Sequence, residues 1–556
     1  MLPLNTLLLL KSFINCAKTN KSVAIATNKV YMDVKEILIS GKTSLGIEFG
    51  STRIKATLID QDHRPIASGS HTWENHYENG VWTYPLDEVL FGLKDAYASL
   101  KNDVKEKYGV TLTKIGALGV SAMMHGYLAF DRDGNLLVPF RTWRNTITGQ
   151  ASAELSKLLG FNIPERWSIA HLGQAILNKE EHLGAIASFT TLAGYVNKLL
   201  TGVNSLGIGD ASGMFPIDSS TLDYNAQMID KFDKWSSAHG FNKNLIELLP
   251  PVMLAGDRAG TLTAEGAKLL DAEGDLEEGA IVCPPEGDAG TGMVATNSVL
   301  PLTGNVSAGT SVFAMAVLDK ALKSYYPEID VVTTPSGKDV AMVHCNNCSG
   351  DIDAWVGLFK EVVESFGVAI KTSQAYDVLL SKALEAKPDC GGIVSVNYLS
   401  GESITGFTEG RPMMARRPDS QLRLAEVMRS LLYSAFATLR IGMDILYDKE
   451  GVVLNSIAGH GGYFKAKEVG SNMAASALKT AITVTQTAGE GGPWGMAILA
   501  SYALNNNGET LEEYLKEKVF KDATVERFEP KEQDVIGFKK YLESYKTALK
   551  AEEALI

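Results

Sequence analysis

The sequence predicts an α/β protein of two large domains built on a duplicated unit, and three observations carry that expectation. A chain of 556 residues exceeds what one ordinary hydrophobic core organises, so two domains are expected. Strand-like runs end repeatedly in polar glycine turns, with amphipathic helical stretches between them. One pattern also occurs twice: residues 45–60 and 302–317 each read as strand, glycine–hydroxyl turn, strand. A repeat placed near the start of each half points to duplication.

The first of these stretches ends a strand in Glu48, turns through Gly50-Ser51-Thr52, and continues into a second strand carrying Lys55. Glycine permits a backbone turn where a Cβ would clash. Small hydroxyl residues beside it leave donors facing outward, as a phosphate cradle needs, and the acid one strand back suits a metal or a water. An ordinary hairpin with a polar turn is the plain alternative. The second stretch places Gly309, Thr310 and Ser311 in the equivalent turn. Two such turns facing each other across a cleft are suited to clamp one polyphosphate.

Composition narrows the class. Hydrophobic residues make up 45% and charged residues 21% of the chain, as in soluble globular enzymes. A net charge of -13 argues against a nucleic-acid or anionic-membrane partner. Five cysteines form no disulfide framework in this length, so a reducing, cytoplasmic setting is expected. Cys345-Asn-Asn-Cys348 lacks a second ligand pair at a zinc spacing. The run of leucines near the start is too short to span a membrane, and no basic region precedes it. Residues 1–44 are therefore expected to be an extension outside the fold, with residues 1–31 a loose tail or a start-site artefact ahead of Met32.

Taken in order, a third strand is expected over 66–73 and an amphipathic helix over 86–108. An apolar strand over 115–121 leads into Met123-Met124-His125-Gly126, a polar turn at a strand exit, where α/β sheets present ligand groups. Arg141 to Thr146 is rich in donors around Trp143 and suits a sugar, although either loop also fits a structural turn. Helices follow over 150–200, then Gly209-Asp210-Ala211-Ser212-Gly213, with Asp210 read as structural. A buried strand over 281–285 ends at Glu286-Gly287-Asp288. An acid among glycines has the open approach a general base needs, and Asp288 also fits a helix N-cap. The second half offers a helix over 422–446, a strand over 452–458 and the cluster Gly459 to Gly462, flat enough for an adenine ring. A glycine loop over 488–495 then opens a helix, and an amphipathic helix closes the chain.

Together these pieces resemble the FGGY family of carbohydrate kinases. The match rests on Gly46 to Thr52, Met124 to Gly126, Gly287-Asp288, Gly304 to Ser311 and Gly459 to Gly462. The Met-His-Gly loop and Tyr398-Leu399-Ser400-Gly401-Glu402 are most similar to the xylulokinase branch. The resemblance implies a two-domain actin-like ATPase fold, a duplicated RNase H-like unit with a ligand cleft between residues 45–300 and 301–556. It implies ATP and Mg²⁺ as cofactors and a sugar as the partner, D-xylulose foremost, with a homodimer as the assembly considered. By the same resemblance Asp288 is the base, and Met124, His125, Trp143, Asn145 and Asp288 contact the sugar. Ser51, Thr52, Lys55, Gly309, Thr310 and Ser311 meet the ATP phosphates, Gly461 and Gly462 the adenine, and Glu48 with Asp288 the metal. Glu48 stands where the family has Asp, Trp143-Arg144-Asn145 replaces Trp-Asn-Asp, and His460 interrupts a glycine run. Kinases for L-ribulose or L-fuculose, and a sensor without transfer activity, are the rival readings.

Overall fold

The computed structural model describes residues 34–485 and 491–556. Two sheets organise them. In the first, β1 (Ser44–Phe49) pairs antiparallel with β2 (Arg53–Ile59), and β2 pairs antiparallel with β3 (Pro65–Thr72). Helix α1 (Leu86–Tyr108) crosses over to β4 (Ala117–Ala122), parallel to β1 on its other side. Short strands β5 (Ile281–Val282) and β6 (Glu286–Gly287) lie parallel to β4, and β6 runs directly into α2 (Asp288–Ala295).

The second sheet repeats this plan. Strands β7 (Thr303–Ala308) and β8 (Val312–Val317) form its hairpin. An edge strand β9 (Asp330–Thr333) precedes β10 (Asp339–Cys345), which pairs with β8. Helix α3 (Leu424–Asp444) crosses over to β11 (Ser456–His460), parallel to β7, and β12 (Ile482–Thr485) follows in parallel. The order β5-β4-β1-β2-β3 is matched by β12-β11-β7-β8-β10, with the same strand sense at every step. This is the duplication that the two glycine hairpins lead one to expect.

The crossover helices seat against their strands through glycine. Ala96 O and Leu100 N of α1 stand 2.3 Å from where a Cβ on Gly69 would be, and Val343 of β10 stands 2.4 Å from that position on Gly442 of α3. Helix α1 buries Val89, Leu93, Tyr97, Leu100 and Val104 on one face and ends at Gly109, whose N–H closes on Lys105 O.

Several expectations need correction. Residues 34–39 are helical, and Val34 and Leu38 are buried in the first core, so residues 34–44 belong to the fold. The tail over 1–31 lies outside the described residues. The expected strand over 281–285 is two short ones, and the strand expected over 452–458 begins at Ser456. Of the glycine loop expected over 488–495, Gly491 onward is already helix α4 (Gly491–Asn505), and residues 488–490 lie outside the described residues.

Helix α4 also changes where the chain divides in space. It returns to the first sheet, where Pro493 O and Ala497 N stand 2.0 and 2.4 Å from a Cβ position on Gly46 of β1. Trp494 Nε1 donates to His63 O at 2.8 Å, and His63 Nε2 and Tyr514 OH lie 2.7 Å apart. A sequence boundary at 300/301 therefore does not separate the two bodies. Elsewhere they meet through Thr333, which bonds Ile208 O and Ser212 Oγ at 3.0 Å, and through the Arg166–Asp330 ion pair. Among the described residues no helix is long and apolar enough to cross a membrane.

Gly46→Ala is expected to cost ~1–3 kcal/mol or more, because backbone on both sides must shift. Gly357→Ala, with open space around it in an exposed helix interior, should instead raise stability by ~0.5–1 kcal/mol. Thermal unfolding of the two variants checks the pair of opposite signs.

Candidate functional site

Both glycine turns are held from behind by their carbonyls. In the first, Gly50 N donates to Arg53 O at 2.9 Å. Trp73 Nε1 donates to Gly50 O and Tyr84 OH to Ser51 O, each at 2.7 Å, and Trp73 N reaches Thr52 O at 3.2 Å. The Trp73 and Tyr84 rings are themselves stacked, 4.2 Å between centroids. In the second turn, Gly309 N donates to Ser311 O at 2.9 Å. Ser349 Oγ and N reach Gly309 O at 2.7 and 3.0 Å, and Cys348 N reaches Thr310 O at 3.0 Å. The hydroxyls of Ser51, Thr52, Thr310 and Ser311 bond nothing among the described residues. With the acceptors occupied and the donors left over, each turn is suited to cradle anionic oxygens.

The Met-His-Gly loop leaves β4 next to the first turn, Met123 N donating to Phe49 O at 2.9 Å. It turns sharply, with left-handed backbone at both His125 (φ 70) and Gly126 (φ 95). His125 Nδ1–H donates to Gly213 O at 3.1 Å, which leaves Nε2 as the acceptor. The ring stacks on Trp167, 5.9 Å between centroids. Burial, with the Arg166 charge adding to it, pushes the imidazole down to about 3, so it is neutral near pH 7.

Asp288 is the first residue of α2. Gly287 occupies the cap position, so the N-cap alternative falls away. Asp288 Oδ1 instead accepts the Met124 amide at 3.2 Å. Met124 Cγ stands 2.2 Å from where a Cβ on Gly287 would be, so only glycine admits this contact. Burial pushes the Asp288 carboxyl up to about 6, against the Met124 and Ala289 amides that favour its charge.

Glu48 faces Lys55 across the first hairpin. Burial pushes it up to about 7, opposed by Lys55 and reinforced by the charge on Asp288. Among the described residues its Oε2 is buried without a partner, and a Cβ position on Gly492, in the first turn of α4, lies 2.7 Å from the carboxyl. The two acids thus offer oxygen ligands, one unsatisfied, as a hard dication such as Mg²⁺ takes. Among the described residues no three His, Cys, Asp or Glu converge to cage a metal unaided. A pair of carboxylates completed by waters and substrate oxygens is the fit these residues give.

Two acids here escape sequence reasoning. Glu286 accepts Asp210 N at 3.0 Å and Gly209 N at 3.4 Å, and burial, with Asp210 adding, pushes it up to about 8. Asp210 accepts Thr191 Oγ1 at 2.6 Å while its Oδ1 is buried without a partner, and burial pushes it up to about 7. The available signal was the flanking glycines: Cβ positions on Gly207 and Gly209 would stand 2.3 and 2.4 Å from the Glu286 carboxyl.

In the second body, Gly461 (φ 97) lies on the end of β7, with Ala308 O 2.5 Å from its Cβ position, and nothing crowds Gly462. His460 pairs in register with Ser307, its Nε2 buried without a partner. Trp143 is 38% exposed and open to a ligand, but Asn145 is 1% exposed. The Asn145 amide is occupied, accepting Trp82 N at 2.8 Å and donating to Trp82 O and Thr142 O at 2.8 and 3.0 Å. Its expected sugar contact is therefore replaced by a structural one. Its neighbour Arg144 lays its guanidinium over the Trp82 ring, 3.9 Å from the centroid.

Residues 43–276 match the N-terminal domain and residues 304–504 the C-terminal domain of the FGGY family of carbohydrate kinases. The xylulose kinase of Haemophilus influenzae is 22% identical over 490 residues, covering 85% of this chain and 92% of that protein. The solved, ligand-bound xylulose kinase of Lactobacillus acidophilus superposes with a TM-score of 0.74 at 16% identity, over 91% of this chain and 97% of that one. Glycerol kinase of Plasmodium falciparum with ADP gives 0.71 at 16% identity, over 92% and 98%.

Replacing Asn145 by Ala leaves the Trp82 backbone groups unpaired, and should destabilise the protein by ~1–3 kcal/mol. Trp143→Ala, on an exposed ring, should leave the melting temperature at the wild-type value. An equal fall in both variants by thermal unfolding would contradict the distinction.

Proposed function

The chain belongs to the FGGY family of carbohydrate kinases, and from that premise we propose that it transfers the γ-phosphoryl group of ATP to a ketopentose, D-xylulose giving D-xylulose 5-phosphate. It is a phosphotransferase with a sugar alcohol group as acceptor, on the two-domain actin-like ATPase fold. The observation that carries the reading is the Met124 amide held on the Asp288 carboxylate. It makes the sugar loop and the proton acceptor one unit. The Met-His-Gly loop, the Tyr398 to Glu402 segment and the xylulose kinase relatives support the pentulose.

Phosphoryl transfer asks little covalent chemistry of a protein, so position and charge do most of the work. His125 Nε2 accepts from a sugar hydroxyl, and Trp143 offers a face to the ring or chain. The two back-held turns, with Lys55, grip the ATP phosphates from either side, and the flat backbone at Gly461 and Gly462 receives the adenine. Asp288 takes the proton of the attacking hydroxyl as its oxygen bonds the γ-phosphorus. The bond to the β–γ bridging oxygen breaks, and ADP leaves with that electron pair. Glu48 and Asp288 would hold Mg²⁺, which supplies charge neutralisation on the β and γ oxygens. Closure of the two bodies through contacts such as Thr333 keeps water from serving as the acceptor. A cytoplasmic setting belongs to the same reading. The departure at Trp143-Arg144-Asn145 favours another ketose, L-ribulose or L-fuculose.

ADP release coupled to a panel of ketoses, aldoses and polyols tests the substrate. D-xylulose should raise it well above the sugar-free rate and glycerol should not. A larger response to another sugar would replace the pentulose and keep the kinase, while no response to any acceptor would favour the sensor. The Asp288 carboxyl acts ionised, and its folded value is about 6. Glu48, which would hold the metal ionised, has the higher folded value of about 7, so the sugar-dependent kcat/KM should be full well above both values and fall as the pH drops through them.

A further inference from the structure

Behind the second glycine turn stands a layer that the first turn does not have. Stacked aromatic rings hold the first turn's carbonyls. The second turn's carbonyls are held by Cys348 and Ser349, two residues of an irregular loop between β10 and the helix Gly350–Ser365. Something must fix that loop in turn. Residues 346 and 347 rest on Glu402, whose Oε2 accepts Asn346 N at 2.9 Å, Asn347 N at 3.3 Å and Asn347 Nδ2 at 3.2 Å. Asn347 returns the support, its Oδ1 accepting Leu399 N at 2.9 Å and Ser400 N at 3.1 Å. Asn346 Nδ2 donates to Gly401 O at 2.8 Å, and Asn397 Nδ2 to Cys348 O at 3.0 Å.

Glu402 is 0% exposed and forms no ion pair among the described residues. Its Oε1 is buried with no hydrogen bond to the described residues, the Ile404 amide being the further group nearby that favours its charge. A buried carboxyl compensated only by amides is an expensive way to stabilise a loop. Burial pushes it up to about 7, against the amides of residues 346 and 347 that favour its charge. What the arrangement delivers is directional. Three donors converge on one oxygen, and the next two residues of the same loop deliver three bonds to the turn.

We propose that Glu402 is the positioning residue of the second phosphate turn, setting the 346–349 loop so that Gly309, Thr310 and Ser311 present their donors to the phosphate chain of a nucleoside triphosphate. The inference rests on the reading of that turn as a phosphate cradle. Glu402 touches no substrate. It acts through Asn346 and Asn347, then Cys348 and Ser349.

The test compares binding of ATP and of adenosine by calorimetry, with no sugar present, in the full chain. Glu402→Gln puts an N–H₂ or an uncharged oxygen against the converging donors. With that convergence weakened the turn's donors are held less firmly, and ATP should bind ~10-fold or more weakly. Adenosine, lacking phosphates, should bind as in the wild type. Ser349→Ala, which removes only the hydroxyl bond to Gly309 O, should show the same selectivity with a smaller loss, and it carries the test if Glu402→Gln does not fold. Thr310→Asp places a like charge in the exposed turn itself and serves as the control on the cradle. If Thr310→Asp weakens ATP while Glu402→Gln and Ser349→Ala leave it unchanged, Glu402 positions nothing. Equal weakening of ATP and adenosine would mean general damage and would also overturn the proposal. Unchanged ATP binding in Thr310→Asp would overturn the cradle reading, and this inference with it.

Discussion

The amide of Met124 bonded to the carboxylate of Asp288 is the contact on which the site depends, and the sheet dictates it. Strands β4 and β6 run parallel with Ser121 opposite Glu286 and Ala122 opposite Gly287. One residue beyond that pair on β6 and two beyond it on β4, the backbone pairing has ended and the Met124–Asp288 bond takes its place. A one-residue slip of register would turn Asp288 to the other face. The contact tolerates no side chain at Gly287, where Met124 stands 2.2 Å from the Cβ position. The position of the acid relative to the histidine loop is therefore set by core register, before any ligand arrives. A carboxylate fixed in this way costs little reorganisation in the base role proposed for it.

Around that contact the protein gathers carboxyls whose charge is disfavoured. Glu48, Asp210, Glu286 and Asp288 are all pushed upward, chiefly by burial. Glu286 is tied to the amides of Gly209 and Asp210, and the same segment meets Thr333 of the second sheet through Ile208 and Ser212. Segment 208–212 thus touches both the strand that carries the acid and the edge of the other body. The glycine turns need the opposite treatment, with acceptors tied down and donors free. Aromatic rings provide it in the first body, and a loop resting on Glu402 provides it in the second.

The local parts of this design could be read from the sequence. Helix α1 has the bounds its apolar spacing gives, both glycine hairpins form where the pattern repeats, and the duplicated sheet follows from them. Where long-range packing decides, sequence reasoning stops short. Gly491 and Gly492 read as loop residues, yet they open a helix because α4 must lie flat on β1 and on the Glu48 carboxyl. Asn145 reads as a sugar ligand in a donor-rich stretch, yet its amide is taken up by Trp82, more than sixty residues upstream. Glu286 stands beside Gly287-Asp288 in the sequence, and its burial arises from strands that meet only in the fold. Glu402 is visible as part of a motif, but its partners lie in another loop.

Proton transfer to Asp288 is the central step of the proposed reaction and is open to one direct measurement. Asp288→Asn keeps the oxygen that accepts the Met124 amide and removes the carboxylate's capacity to take a proton. Sugar-dependent ADP release and calorimetric ATP binding are measured on one preparation of that variant. A general base contributes ~10²–10⁴-fold in rate, so turnover should fall by that factor or more while ATP affinity stays at the wild-type value. Near-normal turnover in the folded variant would contradict Asp288 as the proton acceptor.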